Sequence, residues 1–172
     1  MLKSTPSSYL YDMEIKEVLL EVPERCQLII GQSHFIKTVE DIYEALASSM
    51  PGAKFGVAFC ESSGKALLRY DGTDKDSTQI AVDFALRLSA GHVFVVILTD
   101  LYPINVLNRI KSVDEVANIY CATANSVNVI IAESDGRRGI LGVMDGDIPK
   151  GVESDADKQE RRDFLRRIGY KR

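Results

Sequence analysis

An unbroken apolar run at positions 93–98 constrains the fold of this 172-residue chain more than any other feature. Valine, isoleucine and phenylalanine make up most of the run, and these residue types favour β-strands. A strand with one face in water would alternate apolar with polar residues, so this run predicts a strand covered on both faces. It is too short to cross a bilayer as a helix. The sequence therefore predicts a buried strand at the centre of a sheet.

Two segments before this strand have apolar residues at helical spacing. The apolar positions are Val39, Ile42, Tyr43, Leu46, Ala47 and Met50 in the first segment, and Ile80, Ala81, Phe84, Ala85 and Leu88 in the second. Each set falls on one face of a helix. Pro51-Gly52 predicts the end of the first helix, and Gly91 predicts the end of the second.

Three predicted helix starts have a hydroxyl residue followed three positions later by an aspartate, which is the spacing of a capping box. The pairs are Thr38 and Asp41, Thr73 and Asp76, and Ser154 and Asp157. We therefore expect each hydroxyl to accept a hydrogen bond from a free amide of its helix.

Further strands are predicted between and after the helices, at residues 13–22, 27–30, 54–61, 66–70, 118–123, 127–133 and 138–144. Turn residues such as Asp135-Gly136 join several of these strands directly. Because helices are interspersed with directly connected strands, we expect an α/β (α+β-like) fold. It would be a mixed β-sheet with helices packed on it, in a single compact domain.

The composition is that of an ordinary globular protein, with 45% hydrophobic and 27% charged residues. A net charge of −4 gives no electrostatic support for nucleic-acid binding. Residues 1–12 lack the apolar stretch of a secretory signal and are expected to be an N-terminal extension, with Met13 as an alternative start. Residues 13–172 are predicted to be the domain. The three cysteines form no C-x-x-C pair, which favours free thiols in the cytoplasm over a zinc site or disulfides.

Phosphate-binding loops of the common types are missing from the sequence. Gly64-Lys65 resembles the end of a Walker loop, but Phe59 stands at the required earlier glycine and Ala66 replaces the hydroxyl residue. No G-x-G-x-x-G follows a predicted strand. Any nucleotide must therefore be bound by other means.

The two histidines, His34 and His92, are the candidate catalytic residues. His34 precedes the first helix, where free amides and the helix dipole favour an anion, and Lys37 adds positive charge. His92 lies between the second helix and the central strand, at a rim where α/β proteins commonly bind ligands. An imidazole with a pKa of about 6.5 can attack or bind a phosphoryl group. The alternative for both is a hydrogen-bonded histidine without catalytic function.

Amide, hydroxyl and guanidinium side chains at the ends of later elements are the candidate nucleotide-binding residues. Asn105 and Asn108 share one helix face, and paired amides can bind an adenine edge or a ribose because each supplies a donor and an acceptor. Thr123 and Asn125 end a strand, and Arg138 can bind a phosphate with two parallel hydrogen bonds. Helix capping, turn formation and solvent exposure are the alternative roles.

Six segments of the chain, taken in order, carry a family resemblance. They are residues 31–41 (GQSHFIKTVED), 54–61 (KFGVAFCE), 90–92 (AGH), 103–108 (PINVLN), 121–125 (CATAN) and 138–146 (RGILGVMDG). Together they resemble the adenosine-specific kinase family, a group of prokaryotic proteins common in archaea. The resemblance extends from Met13 to the C-terminus. Ser126 departs from it, because proline usually follows the asparagine in this family.

The resemblance implies a compact α/β domain that forms homo-oligomers and binds adenosine or AMP. It also implies a phosphorylated histidine, for which His34 and His92 are the candidates. In a phosphotransferase, Lys37 and Arg138 would neutralise the phosphate, and the nucleoside would be held by Asn105, Asn108, Thr123 and Asn125. The protein would be an adenosine-specific phosphotransferase of the cytoplasm, with a small-molecule substrate and neither nucleic acid nor membrane as partner. ATP and Mg²⁺ stay open as further ligands, with Asp145 or Glu61 to hold the metal.

A non-catalytic sensor of adenine nucleotides is the alternative function. No recognisable ATP-binding loop is present, which favours a protein that binds without turnover. In that case the histidine would hold a phosphate group and transfer nothing.

Overall fold

The computed structural model describes residues 12–172, so the predicted extension at residues 1–12 lies outside the described residues except for Asp12. The strands are β1 (Glu14–Leu20), β2 (Cys26–Ser33), β3 (Lys54–Cys60), β4 (Leu68–Gly72), β5 (Val93–Thr99), β6 (Val116–Thr123), β7 (Val127–Ser134) and β8 (Arg137–Asp145). The helices are α1 (Thr38–Ser49), α2 (Lys75–Leu88), α3 (Leu107–Lys111) and α4 (Asp155–Arg167). A 3₁₀ turn, Pro103–Asn105, precedes α3.

The strands form a larger sheet with the order β4-β3-β5-β2-β6 and a smaller sheet with the order β1-β7-β8. The expected α/β domain with helices packed on β-structure is confirmed. One feature differs: all strand pairs of the described residues are antiparallel, where a mixed sheet was expected. The reason is that β5 enters between β2 and β3, so these two parallel strands never become neighbours.

Strand β5 lies at the centre of the larger sheet, and its residues 93–98 are all buried. Val95 and Ile97 belong to a core that includes α2 and the smaller sheet. Val96 and Leu98 belong to a second core, which includes α1 and α3. The prediction of a central strand covered on both faces is therefore confirmed, because helices cover one face and a helix and a sheet cover the other.

Helix α2 lies unusually close to β3 and β4. A Cβ atom at Gly56 would be 2.3 Å from the Cα atom of Thr78, and one at Gly72 would be 2.2 Å from the Thr78 hydroxyl oxygen. Such separations are far shorter than van der Waals contact. The two glycines therefore let the first turn of α2 rest directly on the strand backbone.

The capping boxes predicted for the later helices have different outcomes. At α4 the box is confirmed: the Asp157 carboxylate accepts from the Ser154 amide at 2.7 Å, and the Ser154 hydroxyl accepts from the Asp157 amide at 3.3 Å. At α2 the prediction was wrong by one residue. Asp74 is the N-cap and accepts from the Ser77 amide at 3.0 Å, while the Thr73 hydroxyl donates to the Ala53 carbonyl.

Helix α4 is attached to the domain mainly through the tail behind it. No residue of α4 is buried. The Tyr170 hydroxyl donates to the Asn105 side chain at 2.8 Å, and the Tyr170 ring packs edge-on against Tyr102. The segment before α4 is open to solvent, with Val152 97% exposed. Within residues 12–172, no helix has the length and apolarity needed to cross a membrane.

Candidate functional site

The two histidines lie on neighbouring chain segments at one end of the larger sheet, where β2 ends and where β5 and β6 begin. The Ser33 amide at the end of β2 donates to the His92 carbonyl at the start of β5, at 3.0 Å. The next amide, that of His34, donates to the Glu115 carbonyl just before β6, at 3.1 Å. Three segments that are far apart in the sequence therefore meet here. We call this place the histidine edge, defined by residues 33–37, His92 and Glu115.

His92 has a rigid and unusual position. Its φ angle is +63°, in the left-handed region, where residues with a side chain carry local strain. Its amide donates to the Cys60 carbonyl at 2.8 Å, and its ring lies parallel to the Phe59 ring with 6.0 Å between centroids. The side chain is half-buried. Five other non-glycine residues of the described chain also have a positive φ, so the contacts of His92 distinguish it more than this angle does.

His34 is exposed and stands immediately before helix α1. Two apolar side chains follow it, and both are open to solvent: Phe35 is 51% exposed and Ile36 is 50% exposed. Large apolar side chains beside a polar residue commonly mark a binding surface. His34 is therefore the more accessible histidine of the edge, whereas the half-buried His92 ring lies against the buried Phe59 ring.

The N-terminus of α1 lacks the side-chain cap that the sequence predicts. Lys37 is the N-cap residue and makes no capping hydrogen bond. The Thr38 side chain is buried, and its hydroxyl contacts the Phe35 carbonyl and the Ser33 hydroxyl instead. Uncapped amides at a helix start favour an anionic ligand, so the capping prediction was wrong in a way that favours the anion site.

The Lys37 ammonium lies between two carboxylates. It forms an ion pair with Asp41, one turn along α1, and a second with Glu115, with 3.4 Å between the lysine nitrogen and the carboxylate oxygen. The hydrogen bond to Asp41 is the main reason that the pKa of Lys37 is raised above its ordinary value, and the charge of Glu115 adds to it. Lys37 therefore keeps its positive charge at neutral pH.

Glu115 is a functional candidate that the sequence did not single out. It is 1% exposed, and neither of its carboxylate oxygens has a hydrogen-bond partner. Burial of a carboxylate without such partners costs several kcal/mol, and among residues 12–172 the charge of Lys37 is what offsets this cost. The sequence signal is weak, because Asp114-Glu115 in a polar stretch is typical of a solvated turn.

A cavity of about 530 Å³ lies on the α2 side of the larger sheet, and its lining includes Ser62, Ser89 and Gly91, the residue before His92. The predicted phosphate ligand Arg138 also lines it, but its guanidinium has protein partners. It donates to Glu133 at 2.6 Å and lies 3.4 Å from the Arg87 carbonyl at the end of α2. Arg138 therefore stabilises a helix C-terminus and a neighbouring carboxylate in this structure.

Three of the predicted nucleoside ligands, Asn105, Thr123 and Asn125, lie at the opposite end of the sheet. Thr123 pairs with Leu28 of β2, whereas Val116, beside the histidine edge, pairs with Ser33. Five residues of a strand separate the two pairs, which is about 17 Å. Asn105 is at the same far end, beyond the end of β5. Within one copy the structure therefore brings together His34, His92 and Lys37, and keeps Asn105, Thr123 and Asn125 away from them. Asn108 lies on α3, which packs alongside β6.

The far-end residues bond mainly to one another. The Asp145 carboxylate accepts from the Thr123 hydroxyl at 2.8 Å and from the Asn125 amide group at 2.9 Å. Asn105 accepts from Tyr170, as described above, and Asn108 is exposed on α3. These contacts tie the β6–β7 turn to the end of β8.

The two carboxylates considered for magnesium are not assembled into a metal site. Asp145 accepts the hydrogen bonds just described, and Glu61 accepts from the Leu67 amide and from Arg69 at 2.9 Å. These donors lower the pKa of Glu61, the Leu67 amide most. Across the described part of the chain, no three His, Cys, Asp or Glu residues are grouped so as to hold a metal ion.

Comparison with known proteins identifies the family. A family model described as adenosine specific kinase matches residues 18–171. The crystal structure of the PH1918 protein from Pyrococcus horikoshii OT3 is similar, with a TM-score of 0.88 and 42% sequence identity. The similarity covers 94% of this chain and 99% of that one. No curated protein matches. The chain therefore belongs to the adenosine-specific kinase family.

Proposed function

We propose that the protein is an adenosine- or AMP-binding phosphotransferase that works through a phosphorylated histidine. A histidine nitrogen attacks the phosphorus of a donor, a nitrogen–phosphorus bond forms, and the bond to the donor's leaving group breaks. A hydroxyl of the nucleoside then attacks the same phosphorus and releases the histidine. The observation that supports this most is that both histidines, Lys37 and the uncapped start of α1 meet at one sheet edge.

His34 is the proposed carrier of the phosphoryl group. His92 is proposed to position or protonate the reacting groups. His34 is exposed and stands at the helix start, where amide groups favour the negative charge of a phosphoryl group. His92 is half-buried, and its ring is fixed against Phe59. A transfer of this kind depends on positioning and charge neutralisation, so a fixed neighbour and a nearby cation are the groups it needs.

Lys37 is proposed as the first cation to neutralise the transferred group. Its ammonium stands at the same helix start as His34 and keeps its charge at neutral pH. Arg138, the other predicted phosphate ligand, would first have to release Glu133. ATP is the proposed donor, and any Mg²⁺ would arrive with it, because its phosphate oxygens can supply most of the ligands.

Asn105, Asn108, Thr123 and Asn125 are proposed to hold the nucleoside, in a homo-oligomer. The reacting hydroxyl must come within about 3–3.5 Å of the phosphorylated histidine. In one copy, however, Thr123 lies about 17 Å along the sheet from Val116, which is beside the histidine edge. The amides of one copy would therefore serve the histidine edge of a second. Exposed apolar residues flank both parts of this proposed shared site. Phe35 and Ile36 lie at the histidine edge, and Tyr102 and Ile104 lie at the far end.

The intact mass of the purified protein tests the proposed mechanism, before and after incubation with ATP and adenosine. We expect a gain of one phosphoryl group that is lost in acid, present in the His92→Ala variant and absent in His34→Ala. The two variants are matched controls for each other. If both keep the phosphoryl group and the transfer to adenosine, the histidine mechanism is wrong.

The alternative proposal is a non-catalytic sensor that binds an adenine nucleotide at the same edge. The lack of a phosphate-binding loop favours it. A sensor would bind adenosine or AMP in a calorimeter without any phosphoryl gain on the protein and without loss of phosphate from ATP. In either case we propose that the protein acts in the cytoplasm, where its three free cysteines would stay reduced.

A further inference from the structure

Lys37 is held by two carboxylates with very different surroundings. The Glu115 side chain is 1% exposed, whereas the Asp41 side chain is 31% exposed and lies on the surface of α1. Glu115 stands at the start of β6, and its carbonyl accepts the His34 amide. One partner of the ammonium is thus fixed within the sheet edge, and the other faces solvent.

The two carboxylates differ in what else they can bind. No residue of the described chain donates a hydrogen bond to the Glu115 oxygens, so the ion pair with Lys37 is what compensates this buried charge. Asp41 can exchange the ammonium for water at little cost, because it is accessible. An anion that approaches from solvent can therefore displace Asp41 from Lys37 and cannot reach Glu115.

From this geometry we infer that Glu115 is a positioning residue that anchors Lys37 beside His34, and that Asp41 is the displaceable partner. The inference rests on the proposed role of His34 as carrier. When a phosphoryl group arrives, its oxygens take the place of the Asp41 carboxylate, and the ammonium stays in position because Glu115 holds it from behind.

Electrostatics alone predicts a different result from anchoring, which makes the inference testable. Both carboxylates are negative, so removal of either charge would favour an anionic phosphoryl group at His34. If Glu115 acts only through its charge, Glu115→Gln and Asp41→Asn should both speed phosphorylation. If Glu115 is the anchor, Glu115→Gln should slow phosphorylation of His34, whereas Asp41→Asn should not.

The probe is potassium phosphoramidate, which phosphorylates histidine without any enzyme. The imidazole nitrogen bonds to phosphorus, the phosphorus–nitrogen bond of the reagent breaks, and ammonia leaves. Mass spectrometry of tryptic peptides at neutral pH separates the two sites, because His34 lies in peptide 26–37 and His92 in peptide 88–109. We expect Glu115→Gln to slow phosphorylation of His34 about tenfold or more, as misplacement of a charged group does. Asp41→Asn should leave the rate unchanged or raise it.

A second comparison tests whether Glu115 acts through Lys37. Lys37→Met should slow the labelling of His34, and adding Glu115→Gln to it should cause no further loss. Because Lys37→Met removes a trypsin site, His34 is followed in peptide 26–54 in these variants. Glu115→Asp keeps the charge on a shorter side chain, so its rate of His34 labelling should lie between those of the wild type and Glu115→Gln. It replaces Glu115→Gln in the comparison if that variant does not fold. A rate of His92 labelling equal to that of the wild type shows that a variant is correctly folded.

Three results overturn the inference. If His34 is phosphorylated in Glu115→Gln as fast as in the wild type or faster, Glu115 acts only through its charge and is not an anchor. If Glu115→Gln slows His34 labelling further in the Lys37→Met background, Glu115 does not act through Lys37. A wild-type protein that is not labelled on His34 would overturn the proposed carrier itself, whereas labelled wild type with unaffected Glu115 variants would leave that carrier standing.

Discussion

At the scale of single residues, burial determines the chemistry of the cysteines. Cys60 is buried, and its thiol donates to the Ala85 carbonyl in the second helix. Burial raises the pKa of this thiol from its ordinary 9.0 to about 11, because the thiolate would be separated from water. Cys121 is affected in the same way, and its pKa is raised to about 12. Both are therefore poor nucleophiles at neutral pH.

The pKa of Cys60 predicts how stability changes at high pH. The folded state keeps the proton between pH 9 and 11 while the unfolded state loses it, so this contribution is complete below pH 9 and is lost as pH rises towards 11. By pH 10 the free energy of unfolding should have fallen by about 1 kcal/mol more in the wild type than in Cys60→Ala. Urea unfolding at pH 8 and pH 10 measures the difference. Parallel losses in the two proteins would contradict the prediction.

Site residues were predictable where the signal is local along the chain. His34 and Lys37 could be assigned to a helix start because strand end, loop and helix follow one another within a few residues. Glu115 could not, because it reaches the site only through the pairing of β6 with β2. The sequence identified Ser126 only as a departure from the proline usual in this family. In the structure its hydroxyl accepts a hydrogen bond from the Val22 amide at 3.0 Å.

At the scale of elements, the contact between α2 and the strands beneath it predicts the effect of a single methyl group. Gly56→Ala would place a carbon 2.3 Å from the Thr78 backbone, so the helix must move. We expect a loss of about 2 kcal/mol, typical of overpacking. Gly139→Ala is the matched control, because nothing lies within 4 Å of its new carbon. It should be neutral or slightly stabilising. Equal midpoints for both variants in urea unfolding would contradict this.

Helix positions could be predicted from apolar spacing, whereas their first residues could not. The apolar faces of α1 and α2 lie where the sequence places them, since the spacing follows from helix geometry. The caps depend on competition between nearby acceptors. Thr38 contacts groups of the preceding loop, and Asp74 displaces Thr73 at the start of α2. Only at α4, where no tertiary contact competes, does the local capping box form as predicted.

At the scale of the whole molecule, β5 belongs to both cores, so they should unfold together. Val95→Ala removes contacts on the α2 side and Val96→Ala removes contacts on the α1 side. We expect each to cost roughly 2 kcal/mol and to lower hydrogen-exchange protection equally in both helices, because loss of β5 separates both layers. If either variant loosens only the helix on its own side, the two layers are independent units.

The overall class was predictable, and the arrangement of strands was not. Apolar runs and turn signals report which segments are strands, and the burial of residues 93–98 shows which strand is central. Nothing in a local pattern says that β5 returns between β2 and β3, or that β1 pairs with β7, more than 100 residues later. Partner choice is a property of non-local packing.

The central position of β5 also has a consequence for synthesis on the ribosome. The chain emerges from its N-terminus, so β2 and β3 leave the exit tunnel well before the strand that must pair with both of them. Until then, each presents a bare apolar edge of the kind that aggregates or recruits chaperones. The β3-β5-β2 centre of the larger sheet cannot form on the nascent chain before Thr99 has emerged. The time just before that point is therefore the period of greatest aggregation risk for this protein.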